Sequence, residues 1–255
     1  MCSSDLRADA SSGHPRLFFP AGDRERILAR ASSGHAAEVW KSIRERAASY
    51  RKNYNVEDFN YNLDAYDETY WLATFGGYYG AIWVPNAYIR ENAVEYALSG
   101  SSEAGNAARR GLLKLAGWKT FVHPHILDQG QNTYWPVAIM LTDLALSYDL
   151  VHDTMTPDER RIVADALFEK GITQVFKEYV LDNRVSSNTS NWISDAAGAG
   201  ILGASAIMGE YSDTDLEPYL SGCILKVGAL IDNTFDRDGA YGEGALYYSH
   251  ALHCL

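Results

Sequence analysis

The sequence predicts an all-α protein, and three observations lead there. Apolar residues recur at three- and four-residue intervals through most of the chain, the spacing that lines one face of a helix. Thr156-Pro157-Asp158-Glu159 supplies a complete helix start, with Thr as N-cap, Pro at the first helical position and Glu at the third. No pair of alternating apolar and polar runs flanks an Asn-Gly or Asp-Gly turn; the Asp238-Gly239 step precedes helical spacing instead. Helices of roughly 12 to 25 residues joined by moderate loops are expected.

In chain order, 24–31 and 36–48 carry apolar and charged residues at helical intervals, as do 87–98 and 107–118. The segment 134–151 is apolar on most sides (Val137, Ile139, Met140, Leu141, Leu144, Leu146), which predicts burial between other helices. The helix capped by Thr156 runs through Ile162, Val163, Ala166 and Leu167 towards Ile172, Val175 and Tyr179, with Gly171 as a dividing point. Further helices are expected at about 191–209, 214–235 and 243–255. Gly198-Ala199-Gly200-Ile201-Leu202-Gly203 has the letters of a dinucleotide-binding loop, but that motif works only between a strand and a helix. No strand precedes it and small residues continue through Ala204 and Ala206, so it reads as close helix–helix packing.

At 255 residues, 47% hydrophobic and 22% charged, the chain has the length and composition of a globular protein with an ample core. No apolar run reaches the roughly 20 residues that span a bilayer. A formal charge of -11 argues against general nucleic-acid binding. Arg109, Arg110, Lys114 and Lys119 are the candidates for a local anion-binding patch, the alternative being a solvated helix face. Three cysteines make neither a disulfide framework nor a zinc cluster, and His250, His253 and Cys254 are only loosely spaced as ligands, so no metal site is assigned. Seventeen tyrosines and six tryptophans, dense between Tyr50 and Tyr88, suit wet surfaces that stack on sugar rings as well as core positions. Met1 is followed by polar residues rather than a secretory apolar segment. Residues 1–13 are expected to be a leader, non-native or disordered, and the chain to be cut within a helix at its C-terminus.

Two segments do not read as ordinary core. One is Ser186-Ser187-Asn188-Thr189-Ser190-Asn191-Trp192; the other runs from Asp238-Gly239 through Tyr241, Glu243, Tyr247 and Tyr248. Together they offer amides, phenols and carboxylates, groups suited to removing a proton beside a carboxylate. An amide can stabilise the charge that develops there, and a phenol whose pKa is lowered from about 10 can take the proton. His123, His125 and Gln129 lie in a polar stretch before the 134–151 helix and are candidate substrate contacts.

His14-Pro15-Arg16-Leu17-Phe18-Phe19 resembles the opening segment of heparinase II/III-type polysaccharide lyases. Ala145-Leu146-Ser147-Tyr148-Asp149-Leu150-Val151-His152-Asp153 with the capped helix after it is similar to that family's Ala-Tyr-Asp helix pair. Asn188 to Trp192, and Asp238-Gly239 through Glu243-Gly244-Ala245-Leu246-Tyr247, resemble its two catalytic segments, and the four occur in the family's order. The resemblance implies an incomplete (α/α) toroid over 14–255, with a groove for an acidic polysaccharide. The family's C-terminal β-sandwich, which brings a further catalytic His and often a structural zinc, is absent from this stretch. It implies β-elimination on a uronic-acid polysaccharide, alginate-like or glycosaminoglycan-like, in the periplasm or outside the cell, with no cofactor in this portion. Tyr247, in the Glu-Gly-x-x-Tyr pattern, takes the role of base, with Tyr248 as fallback. Asn191 takes that of charge neutraliser, with Asn188 as second choice; Trp192, His125, Gln129, Tyr241 and Glu243 are substrate contacts. Trp192 stands where many relatives carry His, so either neutralisation falls wholly on Asn191 or substrate and mechanism differ. Three other readings remain open: a uronate C5 epimerase, a glycoside hydrolase using Asp238 and Glu243, and a non-catalytic carbohydrate-binding domain.

Overall fold

A computed structural model describes residues 13–59, 75–128, 130–182, 190–211 and 213–235; the side chains at 75–81, 124, 125, 213 and 214 are also outside the description. The described residues are predominantly helical, with no strand among them and one isolated bridge, Met208 to Tyr211. The helices are α1 (Arg24–Arg30), α2 (Gly34–Asn53), α3 (Phe75–Ser99), α4 (Ser102–Ala116), α5 (Pro124–Asp128), α6 (Trp135–Val151), α7 (Pro157–Ala166), α8 (Thr173–Phe176), α9 (Asn191–Ala206) and α10 (Asp213–Thr234). Two π-helical turns, Leu167–Ile172 and Lys177–Leu181, make α7 and α8 one continuous rod. That rod has a length within the expected 12 to 25 residues, whereas α1 and α5, of 7 and 5 residues, are shorter. No helix among the described residues is long and apolar enough to cross a membrane.

Cross-helix contacts fix the directions. Tyr96 of α3 lies against Gly105 of α4, and Ile89 against Gly111, so the two run oppositely across the turn at Gly100, whose φ of 74° suits a residue without Cβ. The α7–α8 rod returns against α6: Asn132 meets Glu178, Leu141 meets Gly171, and His152 meets Arg160. It likewise opposes α9, where Gly200 meets Val175 and Gly203 meets Ile172. Along α3 and α6 the contacts rise together, from Ile82 beside Ile139 through Arg90–Asp143 to Tyr96–Asp153. The same holds for α6 and α9, from Tyr134–Trp192 to Leu141–Gly203. Thus α3, α6 and α9 lie parallel, and each is followed by a helix that runs back.

Composition explains which helices are central. All but four residues of α6 are buried, as its all-round apolar sequence predicts; the less buried stripe is Trp135, Ile139, Thr142 and Leu146. The predicted capping box is formed: Glu159 N–H donates to Thr156 Oγ1 at 3.3 Å, and Thr156 N–H donates to Glu159 Oε2 at 2.9 Å. A Cβ on Gly200 would stand 2.6 Å from Cys223 Sγ, and one on Gly203 2.9 Å from an Ile172 side-chain carbon. The glycine pattern of α9 is a close-packing device within a helix. The cationic patch resolves into cross-helix pairing rather than an open anion site: Arg109 bonds Glu159, while Arg110 and Lys114 both face Glu57.

Candidate functional site

The alternating directions give the bundle two ends. At one lie the starts of α6 and α9 and the finish of the α7–α8 rod. Ser190 caps α9, its hydroxyl accepting from Trp192 N–H at 3.3 Å, and this holds Asn191 at the first helical position. Asn191 is 6% exposed, and its backbone carbonyl accepts from Ser194 Oγ at 2.6 Å. Trp192 is half-buried and stands edge-on to Tyr134, ring centres 5.7 Å apart; Tyr134 also packs against Trp135 at 5.9 Å. The first turns of two parallel helices therefore present two half-buried tryptophans, joined through Tyr134, beside the Asn191 amide.

Asn132 organises the neighbouring carboxylates. Its backbone N–H and side-chain amide donate to Glu178 Oε2 at 2.8 and 3.2 Å, and the amide donates again to Asp182 Oδ2 at 3.0 Å. These donors soften the local negative charge without cancelling it, so an anionic sugar held here needs further donors. His123 is half-buried, and its carbonyl accepts from Ile126 N–H at 2.9 Å. The stretch that follows is not all loop, as expected from sequence: Pro124–Asp128 forms α5, starting on a Pro that has no N–H to leave unpaired. The backbone of His125 lies in α5; its side chain is outside the description.

Between α3 and α6, one to two turns from Trp135, is a pocket of about 30 Å³ lined by Trp83, Asn86, Arg90, Ile139 and Asp143. Arg90 Nη1 donates to both Asp143 oxygens, at 3.1 and 3.2 Å. Burial pushes the Asp143 carboxyl upward while Arg90 pulls it back. Sequence reasoning missed this group and the Asn132 cluster. The available signals were the Asn86/Arg90 pair at i,i+4 and Asp143, an acid in the middle of a mostly apolar helix.

At the opposite end, two of the sequence motifs meet. The Asp149 carboxylate, fully buried, accepts from His14 Nδ1 at 2.6 Å and from the backbone N–H groups of Arg16 and Leu17, each at 2.9 Å. The His14 ring stacks on His152 at 3.7 Å, and His152 Nε2 lies 3.1 Å from Glu210 Oε1. Arg16 reaches across to the carbonyls of Ala206 and Met208 at the end of α9. Burial holds the His152 ring below its usual pKa, against the pull of Glu210. This arrangement clasps the N-terminal segment, α6 and α9 together.

Of the residues expected from sequence to form the site, Asn191 and Trp192 share one end of the bundle. Asn188, Gln129, Asp238, Tyr241, Glu243, Tyr247 and Tyr248 lie outside the described residues, as do 1–12. Among the described residues no three His, Cys, Asp or Glu side chains are grouped to hold a metal ion. No protein-family model matches the chain, and no curated protein matches it.

Proposed function

We propose that this chain is part of the (α/α)-toroid domain of a heparinase II/III-type polysaccharide lyase, cleaving a uronic-acid polysaccharide by β-elimination outside the cytoplasm. The observation that carries the reading is the grouping of Asn191, Trp192, Tyr134 and Trp135 where two parallel helices begin. The contact between the two non-catalytic resemblance segments, through Asp149, adds support from the other end. The repeated pairing of parallel helices with opposed return helices is compatible with a toroid.

In this mechanism Tyr247, as phenolate, removes the C5 proton. The C5–H electron pair forms the C4–C5 double bond as the C4–O bond breaks, and the phenol proton passes to the departing glycosidic oxygen. The Asn191 amide donates to the uronate carboxylate, where negative charge builds in the transition state. Trp192 supplies a ring face and one N–H, and takes no proton.

The test incubates the chain with alginate and with a glycosaminoglycan and follows the ultraviolet absorbance of the unsaturated uronate product. Tyr247→Phe and Asn191→Ala are expected to abolish it. Cleavage without that absorbance, surviving Tyr247→Phe and lost in Glu243→Gln, would replace the reading with hydrolysis. Deuterium uptake at C5 without cleavage would replace it with epimerisation.

A further inference from the structure

Two stacked imidazoles join the N-terminal segment to the bundle. The rings of His14 and His152 lie face to face, centres 3.7 Å apart, and Tyr148 meets both edge-on, at 6.0 and 5.4 Å. Their side chains are 9% and 15% exposed, so water screens a charge on either ring poorly. Each ring has its own carboxylate: Asp149 Oδ1 lies 2.6 Å from His14 Nδ1, and Glu210 Oε1 lies 3.1 Å from His152 Nε2. Two neutral rings complete both bonds, one donating from Nδ1 and the other from Nε2. The contact therefore needs no added proton.

Charge limits how many protons the pair can take up. Around His152 stand His14 and Arg16 from the N-terminal segment, Tyr148 and Asp149 from α6, Arg160 and Arg161 from α7, and Glu210 beyond α9. Arg160 Nε donates to the His152 carbonyl at 3.0 Å. Arg161 is paired with Asp165 at 2.8 Å, and Asp153 accepts from the Tyr96 hydroxyl. With both rings neutral, Arg16 and Arg160 balance Asp149 and Glu210. A first proton adds one positive charge, which the two carboxylates accommodate. A second sets two imidazoliums face to face at 3.7 Å with little water between them. Burial, the largest cause, holds the His152 ring below its usual pKa in the same sense. Free imidazoles titrate near about 6.5, so below that pH separated rings bind one more proton than stacked rings do.

We propose that the His14–His152 stack is an acid-released latch: the second proton parts the rings and frees the segment from His14 to Phe18 from the ends of α6 and α9, while the helices stay packed. The segment moves rather than the bundle because the two sides are held differently. His152 sits in a helical turn between α6 and α7, whereas residues 13–19 lie outside any helix. Their polar hold is His14 and the Arg16 and Leu17 N–H groups on Asp149, and Arg16 on the carbonyls of Ala206 and Met208. Phe18 is 67% exposed and anchors little. The latch does not depend on the saccharide reading of the other end.

The test is amide hydrogen exchange of the full chain between about pH 7.5 and 5, with rates corrected for the intrinsic pH dependence of exchange. The Arg16 and Leu17 amides, which donate to Asp149, should lose about tenfold in protection from about pH 6.5 to 5, the linkage of one proton. They should stay well below the Met140–Ala145 stretch of α6 in protection throughout. His152→Phe keeps a ring for stacking but takes no proton, so protection of Arg16 and Leu17 should be level over that range. His152→Gln, which keeps a donor for Glu210, should be level too and serves if the Phe variant does not fold. Level protection in wild type overturns the latch. Equal protection of Arg16, Leu17 and Met140–Ala145 overturns it as well, because the whole chain would then be unfolding. A fall that persists in both variants assigns the proton to another group, such as Asp149, and also overturns it.

Discussion

Replacing Asp149 by Asn tests whether the clasp of His14, Arg16 and Leu17 on Asp149 holds the bundle together. The carboxylate accepts from three donors: His14 Nδ1 at 2.6 Å on one oxygen, Leu17 N–H at 2.9 Å on the other, and Arg16 N–H at 3.1 and 2.9 Å across both. Asn keeps the shape but turns one oxygen into an NH2 that must face a donor. With its NH2 towards Leu17 the Asn loses that bond and sets two buried N–H groups against each other; with its NH2 towards His14 it gives up the charge-assisted bond and faces the Arg16 N–H. A hydrogen bond to a charged group is worth roughly 1.5–3 kcal/mol and an orphaned buried donor costs about 1–3; the two overlap, because losing the bond is what orphans the donor, so the substitution should cost about 2–4 kcal/mol. At about 2–4 °C per kcal/mol for a chain of this size, the melting temperature should fall by roughly 5–15 °C. Thermal unfolding followed by circular dichroism measures this directly. Asp153→Asn is the control: its carboxylate accepts only from the Tyr96 hydroxyl at the surface, at 2.9 and 3.0 Å, and should cost under about 1 kcal/mol. An Asp149→Asn protein that melts within about 2 °C of wild type would refute the clasp.

Gly200→Ala should destabilise by about 1–3 kcal/mol, because its Cβ would stand 2.6 Å from Cys223 Sγ. Cys223→Ala should relieve the clash, so a double-mutant cycle by urea unfolding should show clear non-additivity. The Cys223 thiol, 1% exposed and pushed by burial up to about 12, should resist a water-soluble disulfide reagent until the protein unfolds. Arg109 and the Thr156 cap hold the Glu159 carboxyl down to about 2 from an ordinary 4.5. Its folded pKa is the lower one, so its contribution is present above about 4.5 and is lost as pH falls towards 2; Glu159→Gln should flatten that part of the stability–pH curve. The His152 ring, buried against His14 and near Arg160, resists protonation in the folded state. The unfolded chain therefore binds the proton first, stability should drop as pH falls below 6.5, and His152→Gln should reduce that slope.

What the sequence disclosed depended on whether the cause was local. Helical spacing, the Thr156 cap and the all-round apolar 134–151 segment are each decided within a few residues, and each appears in the fold. The start of α3 at Phe75 was not legible, because its N-terminal half shows no amphipathic pattern and Pro85 reads as a break. The two π turns were equally hidden: a changed hydrogen-bond register has no compositional mark beyond Gly171, which sits against Leu141. The pairing of Asn132 with Glu178 and Asp182 depends on two helices meeting, and the partner of Asp149 lies 135 positions upstream.

The described parts of the resemblance segments lie at different ends of the bundle. His14 to Leu17 and Tyr148-Asp149 close on each other at the end opposite Asn191, where Asp149 is fully buried and His14 is stacked on His152. Asn191 and Trp192 lie at the other end of α9, a helix of 16 residues, or about 24 Å. A buried clasp at that distance can hold the inner helices in register but cannot touch a sugar bound near Asn191. Substitutions in the first pair should therefore move the melting temperature and leave saccharide affinity unchanged at a permissive temperature. Substitutions at Asn191 and Trp192 should alter affinity or turnover in proteins that remain folded.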